Sequence, residues 1–419
     1  MRILLSLYNS LTKKLEGFQP LDDKKVKMYT CGPSVYLLPH IGNYRTFLFE
    51  DILHRYLEYT GYGVERVMTI TDVEDKAIAE ARKEEKTVEE LTDKNIKIFL
   101  EELGRLKAKI PEHIPRSSTT VDKAVYLLEV LLRKGYAYWY NHSGRRNVYY
   151  DPLKFKGFGE LYGLDMRKWP KKKRRFHRDT YPGNRWNRGD FILWHGYKEG
   201  DKVYWDTSIG KGRPAWNVQD PAMVTQHLGF KADICCGGTD NLIRHHDYVK
   251  ALIESVTDEP FAHYWLHASH LHVDGKKMSK SRGNIIYPRD LLRRGYQWRH
   301  IRFFLICGHY RRRLNFTFTK FAKVCERLDN LRQMVEKFTS DGMLSEKSGM
   351  RTKELVVKLA ADFEKNMDND LHVKVAFDEM VKTLSKLVTL KEKHELSLED
   401  LKRTVAKIKA VDQVLQVIF

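Results

Sequence analysis

Three features of this 419-residue chain predict an α/β fold: a Rossmann-type parallel sheet, split by an insertion and followed by an all-α helical bundle. Near the N-terminus, strand-like, helical and strand-like runs succeed one another within about 45 residues, the pattern of a βαβ unit. From Tyr136 to Pro214, Trp, Tyr, Gly and Pro crowd together and the helical period is lost. After Phe316 every long segment regains that period.

The first strand is predicted over Lys24 to Thr30. It runs into Cys31-Gly32-Pro33, a turn, and then into a helix from Gly42 with Phe47, Ile52, Leu53, Tyr56 and Leu57 on one face. Gly61 and Gly63 stop that helix, and Val64 to Thr71 reads as the second strand, ending at Asp72-Val73-Glu74-Asp75-Lys76. Helices are predicted over Ala77 to Ala108 and Ser118 to Lys134. Phe230 to Cys235 reads as a third strand leading into Cys236-Gly237-Gly238-Thr239-Asp240, and Leu242 to Ser255 as a helix. The apolar stretch Tyr264 to Val273 precedes a glycine-bounded loop, Gly275 to Asn284. The last helices are predicted over Lys320 to Thr339, Thr352 to Asn366, Val373 to Leu390 and Leu398 to Phe419. The expected organisation is a catalytic domain over 1–315 with an insertion at about 115–214, and an α-helical domain over 316–419.

Composition narrows the function classes. Hydrophobic residues make up 42% of the chain, and the net charge is +19, which favours a polyanionic partner, nucleic acid first. Much of the excess lies in Arg167 to Arg188, where ten basic residues face a single acid, Asp179, with Trp169, Phe176 and Trp186 interleaved. Basic groups neutralise phosphates and aromatics stack on unpaired bases, so this segment is the expected contact for tRNA or another RNA. A solvated loop has the same composition. No apolar run reaches the roughly 18 residues of a membrane helix, and Met1 to Leu7 lacks the features of a secretory leader. Five cysteines without a framework pattern point to a reducing, cytoplasmic compartment. A monomer with no membrane contact is expected.

Two loops carry the chemistry. The first places His40, Gly42 and Asn43 at a helix N-terminus, where exposed N–H groups and the helix dipole suit a phosphate. The second, Gly275 to Asn284, offers Lys276, Lys277, Lys280 and Arg282, mobile cations suited to a triphosphate. A tight turn and an exposed basic loop are the bland readings of the same residues.

His40-Ile41-Gly42-Asn43 resembles the first signature of the class I aminoacyl-tRNA synthetases, and Lys277-Met278-Ser279-Lys280-Ser281 matches the second. The remaining landmarks are similar to the cysteinyl branch: Cys31 to Tyr36, Thr71 to Lys76, Asp190 to Trp194, Gly212 to Trp216, Gly237 to Asp240, and His309-Tyr310-Arg311 with Leu314-Asn315-Phe316. Met367-Asp368-Asn369-Asp370 marks the helical domain that follows in that family. The resemblance implies an ATP-dependent ligase that forms an aminoacyl adenylate and transfers the amino acid to tRNA. His40 and Asn43 would hold the ATP phosphates, Gly42 the adenine, Asp240 the ribose, and Lys277 and Lys280 the departing pyrophosphate. Trp216 would wall the amino-acid pocket, and Mg²⁺ would accompany ATP.

The resemblance also implies zinc at the base of the pocket, and there the sequence departs. Cys31 and His245 stand at two ligand positions, but Asp220 and Val249 occupy those of the second cysteine and the glutamate. Cys235 and Cys236 replace a histidine and a glycine. Cys31, Trp216, Asp220, Cys235 and His245 are therefore the expected substrate pocket, with zinc in doubt. Cys31, Asp220 and His245, with Cys235 beside them, could still rebuild a metal site from S, N and O ligands. Three outcomes stay open: a ligase of this family with changed amino-acid specificity, acting on tRNA or another acceptor; a cysteine–tRNA ligase with a divergent pocket; and a non-catalytic RNA-binding paralogue. The chain stops near the close of the helical domain, where the family usually continues into a small anticodon-binding region. That shortened form is also similar to the ligase that joins cysteine to an amino-sugar in mycothiol synthesis, which keeps its zinc ligands.

Overall fold

A computed structural model of the chain describes residues 5–142, 144–168, 189–279 and 282–419. An N-terminal hairpin, β1 (Ser6–Asn9) and β2 (Lys14–Gly17), precedes the first core strand, β3 (Lys25–Thr30). Helix α1 (Ile41–Tyr59) crosses over to β4 (Gly63–Met68), which pairs parallel to β3 with Tyr29 opposite Val67. The predicted charged helix is two: α2 (Asp75–Lys83) and α3 (Val88–Arg105). Thr87 and Glu90 form a capping box that starts the second afresh.

Helix α4 (Val121–Arg133) leads into the insertion, which is ordered as strand rather than loop. Its strands are β5 (Ala137–His142), β6 (Arg145–Tyr150), β7 (Phe191–Gly196) and β8 (Gly212–Pro214), antiparallel in that order. The interleaved aromatics pack against one another, Phe191 on Tyr248 at 4.0 Å among them, which explains an aromatic-rich sequence without helical period. The described residues of the basic segment end at Lys168; Trp169 to Arg188, which carry most of its charge, lie outside them.

The chain returns through α5 (Trp216–His227) to β9 (Ala232–Gly238), then a π-helical turn (Leu242–His246), α6 (Asp247–Thr257) and β10 (Ala262–Ala268). The central sheet has the order β10-β9-β3-β4, all parallel. The strand order therefore reverses between β3 and β9, which in an open α/β sheet places the ligand crevice at the carboxyl ends of those two strands. Side chains alternate across it. Met28, Ile234, Cys236 and Leu266 pack under α1, while Tyr29, Cys31, Cys235 and Trp265 face the opposite layer with Val249.

Beyond the sheet, β11 (Leu271–Val273) pairs antiparallel with β12 (Lys276–Lys277) and parallel with β13 (Leu314–Phe316), with α7 (Pro288–Leu292) and α8 (Trp298–Ile306) between them. Four helices complete the chain: α9 (Phe318–Thr339), α10 (Met350–Met367), α11 (Val373–Glu392) and α12 (Leu398–Leu415). Their apolar faces belong to the same continuous core as α1 and one side of the sheet. Two sequence landmarks meet at that junction. The Asp370 carboxylate accepts from the backbone N–H of Tyr8 (2.9 Å), the Tyr310 hydroxyl (2.6 Å) and Arg311 Nε (2.6 Å). Among the described residues, no helix is long and apolar enough to cross a membrane.

Candidate functional site

One cavity of 260 Å³ opens at the carboxyl ends of β3 and β9, and it gathers most of the predicted site: Cys31, His40, Gly42, Asn43, Trp216, Asp220, Asp240, His245 and Lys277 all line it. Cys235 does not. It sits mid-strand in β9, fully buried, with its Sγ 3.9 Å from His246 Nδ1; strand alternation turns it into the layer between the sheet and α6. Lys280 and Ser281 lie outside the described residues.

At one end of the cavity α1 begins. His40 is its N-cap, and the pair forms a capping box: Nδ1 of His40 accepts from the Asn43 N–H (3.3 Å), and Asn43 Oδ1 accepts from the His40 N–H (3.0 Å). This was not foreseen, although a polar side chain three residues before another is the usual signal. An accepting Nδ1 puts the ring proton on Nε2, leaving a neutral donor for the cavity. Burial lowers the His40 pKa, which keeps the ring neutral. Gly42 follows in the first turn. A Cβ there would lie 2.5 Å from Met278 Cε, so the second signature loop rests directly on the first. Lys277 is exposed on β12, and its carbonyl accepts from Asn284 Nδ2 (3.3 Å), which helps shape the loop. Gly32 is required for a separate reason: any Cβ would fall 1.8 Å from the Thr69 carbonyl oxygen, which is backbone and cannot yield.

At the other end, α5 and the π-helical turn close over the sheet. Such turns shift the helical register by one residue and recur at functional sites; this one brings His245 to Asp220. The carboxylate of Asp220 is a hub. Its Oδ2 accepts from the Tyr29 hydroxyl (2.5 Å), the Thr69 hydroxyl (3.2 Å) and the Cys31 thiol (3.3 Å), and meets His245 Nε2 at 2.7 Å. Burial alone would raise this carboxyl, but the neighbouring His245 and the hydrogen bonds from Tyr29 and Cys31 outweigh it and hold it below the usual range. Burial pushes the Cys31 thiol and the Tyr29 phenol well up, so both stay protonated donors. Trp216 stacks on His245 with ring centroids 5.6 Å apart. Tyr29 and Thr69 were missed at the sequence level. The signal for Tyr29 was its position two residues before Cys31, hence on the same face of the strand.

This donor set does not fit the four-ligand zinc site that the resemblance implies. Val249 is fully buried among Tyr29, Cys31 and Cys235 and offers no ligand, and the oxygen of Asp220 nearest the thiol is already shared by its hydrogen-bond donors. A different group does come together: Cys31, His245 and His246 each offer a ligand atom within 4.8 Å of the others. His246 Nδ1 is engaged with His267 Nε2 at 2.8 Å, and His267 Nδ1 with the Ser10 hydroxyl at 2.9 Å.

Comparison with known proteins agrees with this architecture. Residues 17–326 match the family described as tRNA synthetases class I (C) catalytic domain. A cysteine–tRNA ligase of Chlamydia pneumoniae is 36% identical over 416 residues, covering 99% of this chain and 86% of that one. One from Brachyspira hyodysenteriae is 37% identical over 374 residues, covering 88% and 77%. Among solved structures, a Mycobacterium tuberculosis methionyl-tRNA synthetase with methionyl-adenylate superposes with a TM-score of 0.67 at 14% identity, covering 94% of this chain and 90% of that one. An Agrobacterium radiobacter K84 LeuRS–tRNA–LeuAMS complex gives 0.71 at 11%, covering 96% and 85%; at such identities these two establish the fold alone. With a matching catalytic-domain family and relatives aligned over almost its whole length, the chain belongs to the cysteinyl-tRNA synthetase family of class I aminoacyl-tRNA synthetases.

Proposed function

We propose that this family member activates an amino acid as its adenylate and passes it to tRNA, with an amino-acid specificity changed from that of its relatives. The observation that carries the reading is a single cavity with the N-terminus of α1 and Lys277 at one end and the Asp220 hub at the other. In the first step an oxygen of the amino-acid carboxylate bonds to the α-phosphorus of ATP, and the bond to the bridging oxygen breaks to release pyrophosphate. Such a step needs positioning and charge neutralisation more than acid–base chemistry. His40 donates from Nε2 to the α-phosphate, Asn43 holds the phosphates with the first-turn N–H groups, and Lys277 and Lys280 neutralise the leaving pyrophosphate. Gly42 admits the adenine, Asp240 bonds the ribose, and Trp216 walls the amino acid. Mg²⁺, when bound with the ATP phosphates, would supply charge neutralisation there. In the second step a nucleophilic hydroxyl of the acceptor attacks the acyl carbon and AMP leaves.

ATP–pyrophosphate exchange screened over the twenty amino acids tests the reading, with zinc content measured on the same preparation. Lys277→Ala and Lys280→Ala are each expected to lower exchange by about 100-fold, as loss of a charge-stabilising donor does elsewhere; unchanged exchange refutes the lysine assignment. RNA contact is assigned to the basic 167–188 segment on its charge and aromatics, and reversing four of its cations should weaken tRNA binding and flatten its salt dependence. A cysteine–tRNA ligase is the second reading, favoured by the Cys31, His245 and His246 trio; cysteine-dependent exchange with stoichiometric zinc would establish it.

A further inference from the structure

The floor of the cavity is left one ligand short of satisfaction. Every hydrogen bond to Asp220 falls on Oδ2. Oδ1 accepts none among the described residues, yet Asp220 lines the cavity while the residue is only 2% exposed. His245 repeats the pattern one step further out. Its Nε2 is committed to Asp220, and its Nδ1 is buried without a partner. Buried polar atoms are nearly always satisfied, and an orphan costs about 1–3 kcal/mol. One such orphan, His245 Nδ1, lies beside an acceptor, Asp220 Oδ1, that is open to the cavity, and together they define what should fill it. The occupant donates hydrogen bonds, and an apolar side chain would leave both atoms unpaired.

The neighbours narrow the donor further. Thiols are weak donors, and Val249 removes one ligand of the zinc site that the resemblance implies; the Cys31, His245 and His246 trio keeps three ligand atoms together, so a preference for cysteine is the competing outcome of the test below. Resting on the ligase reading above, we propose that the pocket selects an amino acid with a short side chain ending in an ammonium or hydroxyl group, held by Asp220 Oδ1 beside the unpartnered His245 ring. The side chain is short because the same 260 Å³ cavity must also admit the reacting end of ATP.

The test uses the unmodified chain and two readouts. Exchange and calorimetric binding are measured with 2,3-diaminopropionate, 2,4-diaminobutyrate, serine, homoserine, cysteine, alanine and 2-aminobutyrate. At least one ammonium or hydroxyl amino acid is expected to exceed 2-aminobutyrate by 100-fold or more in kcat/KM, because a site built around hydrogen bonds rejects analogues that lack them. The diamino and hydroxy arms decide between the two donors. A preference for cysteine or an apolar amino acid overturns the proposal and leaves the ligase reading standing. Binding of a donor amino acid without exchange, with and without tRNA, overturns the ligase reading and leaves this one standing; binding of no amino acid overturns the proposal. Asp220→Asn should cut the preference for the ammonium side chain over 2-aminobutyrate by at least 30-fold, and an unchanged ratio refutes the role of the carboxylate.

Discussion

Replacing Gly42 by alanine separates the needs of the fold from those of the nucleotide. Gly42 lies in the first turn of α1 and has no positive φ to relieve, so alanine suits the helix and should gain up to about 1 kcal/mol from propensity. The added Cβ, however, would stand 2.5 Å from Met278 Cε and 3.1 Å from two atoms of the His40 ring. Carbon atoms settle at about 3.5–4.0 Å, so the Met278 tip must withdraw by roughly 1 Å. Met278 is largely buried within the main core and adjoins Lys277, so its retreat shifts the loop. Overpacking of this kind costs about 1–3 kcal/mol and falls on the folded protein, where the flexible Met278 tip relieves part of it by turning aside. The expected result is a melting temperature lowered by about a few degrees at most and a KM for ATP raised about five-fold or more in exchange assays. Adding Met278→Ala distinguishes two causes: recovery assigns the defect to Met278, and no recovery assigns it to lost backbone approach by adenine. A KM for ATP within twofold of wild type would falsify the placement of the nucleotide against this helix.

Three further perturbations probe the frame that holds the site. Arg302→Ala strands the fully buried Asp51, whose Oδ2 receives Arg302 Nη2 at 2.6 Å; a loss of about 3–5 kcal/mol is expected by urea denaturation at pH 7. Burial would raise the Asp51 carboxyl, but Arg302, Arg55 and the Lys109 N–H outweigh it and depress its pKa. Its stabilisation is therefore complete above the unfolded value of about 3.9 and is lost as pH falls through the folded one. The gap between wild type and Arg302→Ala should accordingly narrow in acid, and a gap that widens contradicts the pairing. Arg45→Lys keeps the charge but loses the fork that donates to the carbonyls of Ser269, Leu305, His309 and Arg312, and should lower stability by at least about 2 kcal/mol; a neutral outcome would show those bonds to be replaceable by water. Asp370→Asn weakens the acceptor of Tyr310 and Arg311, at about 1.5–3 kcal/mol. Faster limited proteolysis between α10 and α11, where Asp370 lies, should accompany it.

The parts of this molecule that were legible from sequence are those governed by local period and local chemistry. The βαβ unit from Lys25 to Met68, the third strand (expected to end at Cys235 and running on to Gly238) and the four C-terminal helices carry their own patterns and capping residues. The hairpin β1–β2 escaped notice because Lys14-Leu15-Glu16-Gly17 is mostly exposed and has no apolar alternation. Helix α5 was hidden by Pro221 in its interior, a residue that ordinarily argues against helix. At the site, the meeting of His40, Gly42, Asn43 and Lys277 in one cavity could be expected from their two motifs. The floor could not, because Tyr29, Thr69, Asp220 and His245 come from four separate elements whose meeting depends on sheet order and on a π-helical turn. Position by resemblance identified Asp220 as a substitution; only its partners showed a carboxylate with one oxygen shared among donors and the other open.

The junction at Asp370 also constrains how the protein is made. Ser6 donates its N–H to Asp368 and accepts from the Asp370 N–H, and Tyr8 reaches the Asp370 carboxylate across 362 positions of chain. Strand β1 therefore waits for the turn after α10, more than 360 positions later, before its outer edge is paired. Contacts of such separation are slow to form, and an unpaired strand edge exposed meanwhile invites misassembly. Synthesis that stalls before residue 370 leaves Ser6 to Asn9 without that partner, so shortened nascent chains should be markedly more dependent on chaperones than the completed protein.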